Sequence, residues 1–432
     1  MRAVLLHQRD AVNANIRWVP PLPEAQEPYL IESLIFLRER GYFASPMPEG
    51  DGISIRHDSY DEQRATEEIT EAFQWLDFFA AEDSMSTSET LRVLNAGRKV
   101  KVRYLVPIDK LLIYDIMVLG PYTIYPQVTP YEFTIDSHPW AMRLLDVPGA
   151  DVDPDWTPRD APESSLAHLL AFPLIEGELE VDSSLLFLID SGFSEREILA
   201  LQITEHADRV IDVLRFRYCN HDRPQMVPQH AGVTSDGFRE AYIMPIASDI
   251  DPLLVVAKPQ TFEAINVWLG LEANNGVDDN DIRLATIASG ACSTENDRRI
   301  RSGLRSKGQS FLLVNAEIRF VSLVLAIDVV AAVGRKQAEA HRKHVAAVSS
   351  YRERQKFPDT LASISRLYKI RNRIVHEGAS FYELNEDPVI CLTEIDHILA
   401  SCIEASLDAT WQTALEVDDY VSRLIQEIES TP

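Results

Sequence analysis

Hydrophobic residues recur at helical spacing through the last third of the chain. From about residue 300 onward they repeat every three to four positions, and short polar joints separate the periodic stretches. This pattern is typical of amphipathic helices that pack together as a bundle. We predict helices at 310–333, 335–354, 359–376, 386–407 and in a last amphipathic stretch that ends near 427, with Asp359 as an N-cap just after Pro358.

The first two thirds of the chain carry a mixed pattern of helical and strand-like stretches. Helical periodicity at 29–40, 61–81 and 194–217 alternates with β-branched and aromatic runs at 101–106, 111–118, 131–135 and 241–246. Proline and aspartate mark 147–165 as a linker or surface loop, and 274–281 is rich in turn residues. The predicted fold class is α+β multidomain, with an N-terminal α+β domain at 1–149, a middle α+β region at 150–292 and an all-α helical bundle at 293–432.

The helix predicted at 359–376 carries polar side chains where apolar ones are expected. On a helical wheel Arg371 falls in the middle of the apolar stripe, while Asn372 and His376, four residues apart, stack along its edge. Burying a guanidinium is costly unless a hydrogen-bonding or anionic group meets it. Glu317 and Asp328 in the preceding long helix are the candidate partners. A purely structural network at the end of the helix, closed by Gly378, is the alternative interpretation.

These residues resemble the signature of a known family. Arg371 and Asn372, followed by three residues and His376, are similar to the motif of the HEPN superfamily of RNA-cleaving helical domains. The Leu-Tyr pair before the motif and Gly378 after it look most like the ApeA-type HEPN branch, which is associated with defence against phage. The resemblance covers about residues 300–430 and implies a HEPN-like helical bundle that dimerises around the motif.

The same three side chains suit RNA cleavage by the substrate's own 2′-hydroxyl. His376 would move the proton, Arg371 would clamp the oxygens of the crowded phosphorus, and Asn372 would position the imidazole or the phosphate. One histidine cannot easily act at both ends of an in-line displacement. Two copies of the motif facing each other would therefore complete the site, as the resemblance also implies.

The charge is divided unevenly along the chain, whose net charge is −26. Residues 295–373 hold 17 Lys and Arg against 7 Asp and Glu, a balance of +10, which leaves 24 basic and 60 acidic residues, a balance of −36, elsewhere. A basic island of this kind either follows a phosphate backbone or forms a solvated helix face. The candidate RNA-binding residues are Arg342, Lys343, Arg352, Arg354 and Arg373.

Several other functions find little support in the sequence. The four cysteines are scattered without a C-x-x-C pair, which argues against a zinc site and against a disulfide framework. His341 and His344 have a spacing that suits a metal, but positive charge surrounds them and no carboxylate or cysteine motif joins them. No phosphate-binding loop, nucleophile elbow or H-E-x-x-H motif occurs. We expect no cofactor, no metal, no secretory signal, no membrane-spanning segment and a cytoplasmic location.

Two functions from different classes remain open at the level of sequence. The first is a metal-independent endoribonuclease that acts on RNA as a homodimer in anti-phage defence or as a toxin, with the N-terminal regions as sensor or regulator of a phage or cellular trigger. The second is a non-catalytic HEPN-like dimerisation or scaffold protein that binds RNA or a protein partner. The acidic regions would either restrain the basic island or simply keep the protein in solution.

Overall fold

The computed structural model describes the C-terminal part of the chain almost without interruption, from residue 277 to 430 except position 335. Upstream it describes 2–7, 14–19, 34–46, 52–57, 68, 92–109, 111–113, 115–128, 140, 166–186, 193–221, 227–233, 239–245, 253–257 and 271–272. The chain forms two compact units. The first comprises Met1–Leu105, Glu178–Ile203 and Arg239–Lys258, and the second comprises Val106–Gly177, Thr204–Phe238 and Pro259–Pro432.

The first unit contains antiparallel strands. They are β1 Arg2–His7, β2 Ala14–Val19, β3 Tyr42–Pro46, β4 Gly52–His57, β5 Lys99–Pro107, β10 Arg239–Pro245 and β11 Leu253–Ala257. Four of them form a sheet in the order β1-β2-β4-β3, in which Ala14 of β2 pairs with Ile55 of β4. The three others pair in the order β11-β10-β5, with Tyr242 opposite Leu105.

The second unit adds short strands beside its helices. Strands β7 (Met117–Leu119), β8 (Tyr122–Tyr125) and β9 (Leu174–Asp182) pair antiparallel, and β6 (Leu111–Leu112) pairs parallel with β12 (Leu271–Glu272). The residues of β9 from Glu178 onward belong to the first unit. Gly120 turns the chain between β7 and β8 with φ +57°, and a Cβ there would lie 2.8 Å from the hydroxyl of Thr286. Only glycine combines this conformation with so close an approach.

Helices make up most of the described second unit, and side-chain caps fix several of their starts. Thr294 and Asp297 form a capping box at the start of α3 (Glu295–Ser310), as Asp278 and Asp281 do for α2 (Asp279–Ser289). The helices are α1 Phe193–Tyr218, whose first residues belong to the first unit, α2 Asp279–Ser289, α3 Glu295–Ser310, α4 Ala316–Val330, α5 Ala338–Ser349, α6 Phe357–Glu377, α7 Phe381–Leu384, α8 Pro388–Asp408 and α9 Ala414–Ser430.

Helices α3 to α9 pack around a shared apolar core. Phe320 and Leu323 of α4 are fully buried, as are Leu367 of α6 and Leu399 of α8. Helices α3 and α4 approach closely because Gly303 has no side chain: a Cβ there would lie 2.4 Å from Cγ2 of Val330. Close packing also holds α6, which carries the candidate motif, on α4 and α5.

The structure confirms the α+β layout and the helical C-terminal region, but several finer predictions were wrong. Helical structure begins earlier than expected, because α2 starts inside the turn-rich segment 274–281 and α3 precedes residue 310. Asp359 is not an N-cap: α6 begins at Phe357, and Pro358 occupies its first turn. The predictions for 131–135 and 147–165, and for 61–81 apart from residue 68, lie outside the described residues.

The two units divide the chain differently from the three consecutive segments expected from the sequence. Both units are assembled from separated stretches, so neither corresponds to 1–149 or to 150–292 alone. The segment 293–432 lies wholly in the second unit, which also takes in 106–177 and 204–238. Among the helices that the structure describes, none combines the length and apolarity that crossing a bilayer requires.

Candidate functional site

The candidate site lies on the last two turns of α6. Gly378 ends this helix in the left-handed conformation with φ +70°, and its N–H donates to the carbonyl of Ile374 at 3.1 Å. The next residue, Ala379, donates to the carbonyl of Arg373 at 3.3 Å. These bonds satisfy carbonyls that have no partner within the helix, as expected from Gly378 in the sequence. The cap fixes the backbone two residues after His376.

Arg371, Asn372 and His376 all reach solvent at this end of the helix. Asn372 and His376 are exposed and Arg371 is half-buried. Nη1 of Arg371 donates a hydrogen bond of 3.1 Å to Oδ1 of Asn372. Among the residues that the structure describes, no carboxylate pairs with the Arg371 guanidinium. The side chain that the periodicity placed in the buried stripe is therefore open to an external anion.

Neither predicted acidic partner of Arg371 fills that role. Oε1 of Glu317 accepts the backbone N–H of Phe381 at 3.1 Å. Oδ1 of Asp328 accepts from Nε2 of His341 at 2.8 Å and from the hydroxyl of Tyr368, while Arg371 bonds to neither carboxylate. Arg371 needs no buried partner, because the buried face of α6 ends at Ile370 and Val375 is 44% exposed. The last turn of α6 therefore extends beyond the core.

A cluster of side chains that the sequence did not predict anchors α6 beside the motif. Asp328 of α4, His341 of α5 and Tyr368 of α6 form one hydrogen-bonded group, and the His341 and Tyr368 rings meet edge to face with centroids 5.1 Å apart. Burial, together with the neighbouring Asp328 carboxylate, raises the pKa of Tyr368, so its hydroxyl stays a proton donor. Helical spacing alone could not reveal this group, since its members come from three helices.

The predicted RNA-binding residues do not form one continuous track. Arg342 and Lys343 lie on α5 next to His341, and Arg373 lies on α6 near the candidate site, where its Nε bonds Glu377 at 3.1 Å. Nζ of Lys343 lies 3.4 Å from a carboxylate oxygen of Glu339. Of these residues, Arg342 alone has no carboxylate partner within the described part of the chain. The cationic surface near the motif is thus smaller than the sequence indicated.

Arg352 and Arg354 lie away from the motif. Both precede Phe357, whereas His376 is at the other end of α6, which is about 30 Å long at 1.5 Å per residue. Arg352 pairs with Glu404 and with Asp408, to which its Nη2 donates at 3.0 Å, and Arg354 pairs with Glu427 at 3.3 Å. These two arginines bind helices α8 and α9. That Arg352 and Arg354 bind RNA stays a prediction.

The two histidines whose spacing could suit a metal are hydrogen-bonded within the protein. His341 bonds Asp328, and Nε2 of His344 lies 2.7 Å from the carbonyl oxygen of Ala331. Burial lowers the pKa of His344, which keeps its imidazole neutral. Within the described residues, no group of three or more His, Cys, Asp or Glu side chains has the geometry to hold a metal ion.

An exposed apolar stripe runs along α4 next to the candidate site. Ile318, Leu325 and Val329 share one face of the helix and are 56%, 49% and 42% exposed. The stripe starts beside the end of α6, because Glu317 binds the backbone of Phe381 three residues after Gly378. Tyr382, which follows Phe381, is 92% exposed. Apolar side chains grouped on one helix face are typical of a surface that meets another protein.

Comparisons of the chain with protein-family models, with curated proteins and with solved structures gave no match.

Proposed function

We propose that this protein is a metal-independent endoribonuclease of the HEPN type. One observation carries the proposal: Arg371, Asn372 and His376 are open to solvent together at the end of α6, and no described carboxylate neutralises the arginine. A guanidinium and an imidazole that are both accessible at one helix end suit a phosphodiester, because one pairs with phosphate oxygens while the other transfers a proton. The role in defence against phage or as a toxin rests on the resemblance in sequence.

The mechanism assigns one task to each side chain. His376 accepts the proton of the 2′-hydroxyl or donates one to the leaving 5′-oxygen, and Arg371 stabilises the negative charge that grows on the phosphorus oxygens. Asn372, already bonded to Arg371, orients the guanidinium. The second proton transfer falls to His376 of another copy. The apolar stripe of α4, beginning beside the site, supports a dimer that brings the two histidines together.

The direct test is RNA cleavage by the full-length protein in excess EDTA. We expect RNA but not DNA to be cut, with 2′,3′-cyclic phosphate ends, because the attacking oxygen is the 2′-hydroxyl. His376→Ala should abolish cleavage and leave the unfolding midpoint unchanged, since the side chain is exposed. His397→Ala, which removes another exposed histidine of the second unit, is the matched control. Equal rates for His376→Ala and the parent would refute the assignment.

A composite site can be tested by mixing two inactive chains. If a site uses the arginine of one copy and the histidine of the other, Arg371→Ala and His376→Ala chains together should recover part of the activity. Leu325→Glu, placed in the exposed stripe, should lower both dimer mass in sedimentation and cleavage. A monomeric parent that cleaves at full rate would exclude the composite site.

A scaffold function is the second candidate, and the exposed stripe of α4 favours it as well. A bundle that only dimerises or binds a partner needs this surface but does not need His376. The two functions differ in one measurement: a scaffold keeps its biological activity in His376→Ala and loses it in Leu325→Glu, whereas the ribonuclease loses it in both.

A further inference from the structure

A cavity lined by arginines lies in the second unit, on elements other than the end of α6. Its volume is about 340 Å³, and it opens between α1, the end of α2 and α3. Four guanidinium groups line it, from Arg209 of α1 and from Arg298, Arg301 and Arg305 of α3. The hydroxyls of Ser302 and Ser306 complete the polar wall. We call this cavity the arginine pocket.

Two of the guanidinium groups converge at the end of α2. Gly290 ends this helix with φ +103°, and a Cβ there would lie 3.2 Å from Nη1 of Arg209 and equally 3.2 Å from Nη1 of Arg301. The two nitrogens therefore lie within twice that distance of each other. Nη1 of Arg209 also donates to the carbonyl of Ser289 at 2.8 Å, which fixes its position. Like charges this close repel each other unless an anion lies between them.

The carboxylates around the pocket neutralise only part of this charge. Arg305 binds Asp208 at 3.0 Å and lies 3.6 Å from Asp212, and the buried Arg215 binds the same pair at 3.6 and 3.0 Å. Within the described residues, neither Arg298 nor Arg301 has a carboxylate partner. The remaining acidic side chain of the lining is Glu205. Positive charge is therefore in excess on the α3 side of the pocket.

The two aspartates behind the pocket, Asp208 and Asp212, differ in their pKa. Burial opposes ionisation of Asp208, but Arg215, His230 and Arg305 outweigh it and hold the pKa of Asp208 well below its usual range. Burial and the Asp208 carboxylate raise the pKa of Asp212. Asp212 therefore offers an incoming anion less repulsion than an ordinary aspartate would. The pair is packed in place, since a Cβ on Gly308 would lie 1.8 Å from Oδ1 of Asp212.

We propose that the arginine pocket binds the phosphate group of a small phosphorylated molecule. Guanidinium groups give paired hydrogen bonds to phosphate oxygens, and serine hydroxyls add further donors. The volume lies at the lower end of the range for small-molecule sites, which leaves space beyond the phosphate for a group the size of a nucleoside. The proposal does not depend on the proposed ribonuclease function, because the pocket and His376 lie on different helices.

Calorimetry on the full-length protein at constant ionic strength tests this pocket. The probes are inorganic phosphate, pyrophosphate and AMP, with nitrate as a singly charged control anion. We expect at least one phosphate probe to bind with a dissociation constant below about 1 mM, and nitrate not to bind. Arg301→Gln should weaken that binding about tenfold or more, because it removes one of the converging guanidinium groups.

Two further variants make the result decisive. Arg298 is exposed, so Arg298→Gln should weaken binding without lowering the unfolding midpoint. Arg423→Gln removes one exposed arginine of α9 and should leave binding unchanged. The proposal is overturned if no phosphate probe binds up to about 10 mM, or if Arg298→Gln and Arg301→Gln both bind as the Arg423 control does.

Two other outcomes separate the pocket from the cleavage site. Binding that survives in His376→Ala supports a separate pocket, whether or not the protein cleaves RNA. Loss of RNA affinity in Arg298→Gln, combined with no binding of the small probes, would overturn the proposal and assign these arginines to an RNA surface.

Discussion

At the scale of single residues, Arg371 shows that helical periodicity alone does not predict which side chains are buried. The sequence placed it on the apolar stripe and required a partner for it, and the structure gives it Asn372 and an open side. A helical wheel drawn from the sequence does not show that neighbouring helices stop covering α6 after Ile370. A residue that periodicity assigns to the core can thus become a surface group where its helix extends past the helices around it.

We expect Arg371→Lys to lower the cleavage rate about 100-fold while the protein stays folded. Lysine keeps the charge but loses the planar pair of donors that stabilises the transition state. Single-turnover kinetics measures the loss, and Lys369→Gln, which removes another exposed cation of α6, should stay near the parent rate. A fully active Arg371→Lys would mean that the arginine acts only through its charge.

His206 should make the stability of the protein sensitive to acid. Burial, reinforced by Arg209, lowers the pKa of His206 from its usual 6.5 to about 4. Between these values the unfolded chain takes up a proton that the folded chain does not, so the free energy of unfolding falls as the pH drops through this window. This shift in the pKa of His206 changes the free energy of unfolding by ~3 kcal/mol at most. Below about pH 4 both states are protonated and the contribution no longer changes.

Urea denaturation at about pH 7 and at about pH 5 measures this dependence. His206→Gln should reduce the difference in stability between the two pH values, and the exposed His397→Gln should not. An unchanged difference in His206→Gln would show that another group carries the acid sensitivity.

At the scale of elements, the end of α6 was predictable and its start was not. Gly378 after a periodic stretch predicted the left-handed cap, which the structure has at φ +70°. The start was placed at Asp359 because aspartate is a common N-cap, yet Pro358 fits the first turn, where its missing N–H has no helical partner to lose. The Asp328, His341 and Tyr368 group was unpredictable for a different reason, since it depends on how α4, α5 and α6 pack.

Replacing Gly378 should weaken both the helix end and catalysis. A Cβ at this position meets nothing within 4 Å, so the cost of Gly378→Ala comes only from the left-handed backbone. It lowers the free energy of unfolding by about 1 kcal/mol. Gly378→Asn should cost less, because asparagine tolerates this conformation. Urea denaturation and cleavage by both variants form the test. A Gly378→Ala protein as stable as the parent would show that the cap contributes little to holding the last turn.

At the scale of the whole molecule, several cations of the basic island pair with acidic residues that follow the island in the sequence. Lys336 binds Asp418, Arg366 binds Glu386 and Glu394, and Lys307 binds Asp396. These acidic residues lie on or just before α8 and α9, beyond the 295–373 segment. Counting charges along the sequence left open whether the acidic regions restrain the island or only keep the protein in solution, because the sequence does not show which distant carboxylates fold back onto the island.

A fragment of residues 293–432 should not fold as a stable unit. It contains Arg305 but lacks Asp208 and Asp212, and it lacks Arg283 of α2, whose Nη1 donates to the carbonyl of Leu407 at 2.7 Å. We expect no cooperative thermal transition in circular dichroism, in contrast to the full chain. A fragment that melts at the temperature of the parent would show that α1 and α2 are dispensable. Regulation by the N-terminal regions is therefore better examined with substitutions in the full chain.

The exposed stripe of α4 has a consequence for how much of the protein a cell can hold. A site assembled from two copies forms in proportion to the square of the free monomer concentration, as long as most chains are single. Scarce chains would then remain harmless without any inhibitor, and a few-fold rise in synthesis would start cleavage abruptly. The abundance of the chain would itself act as the threshold.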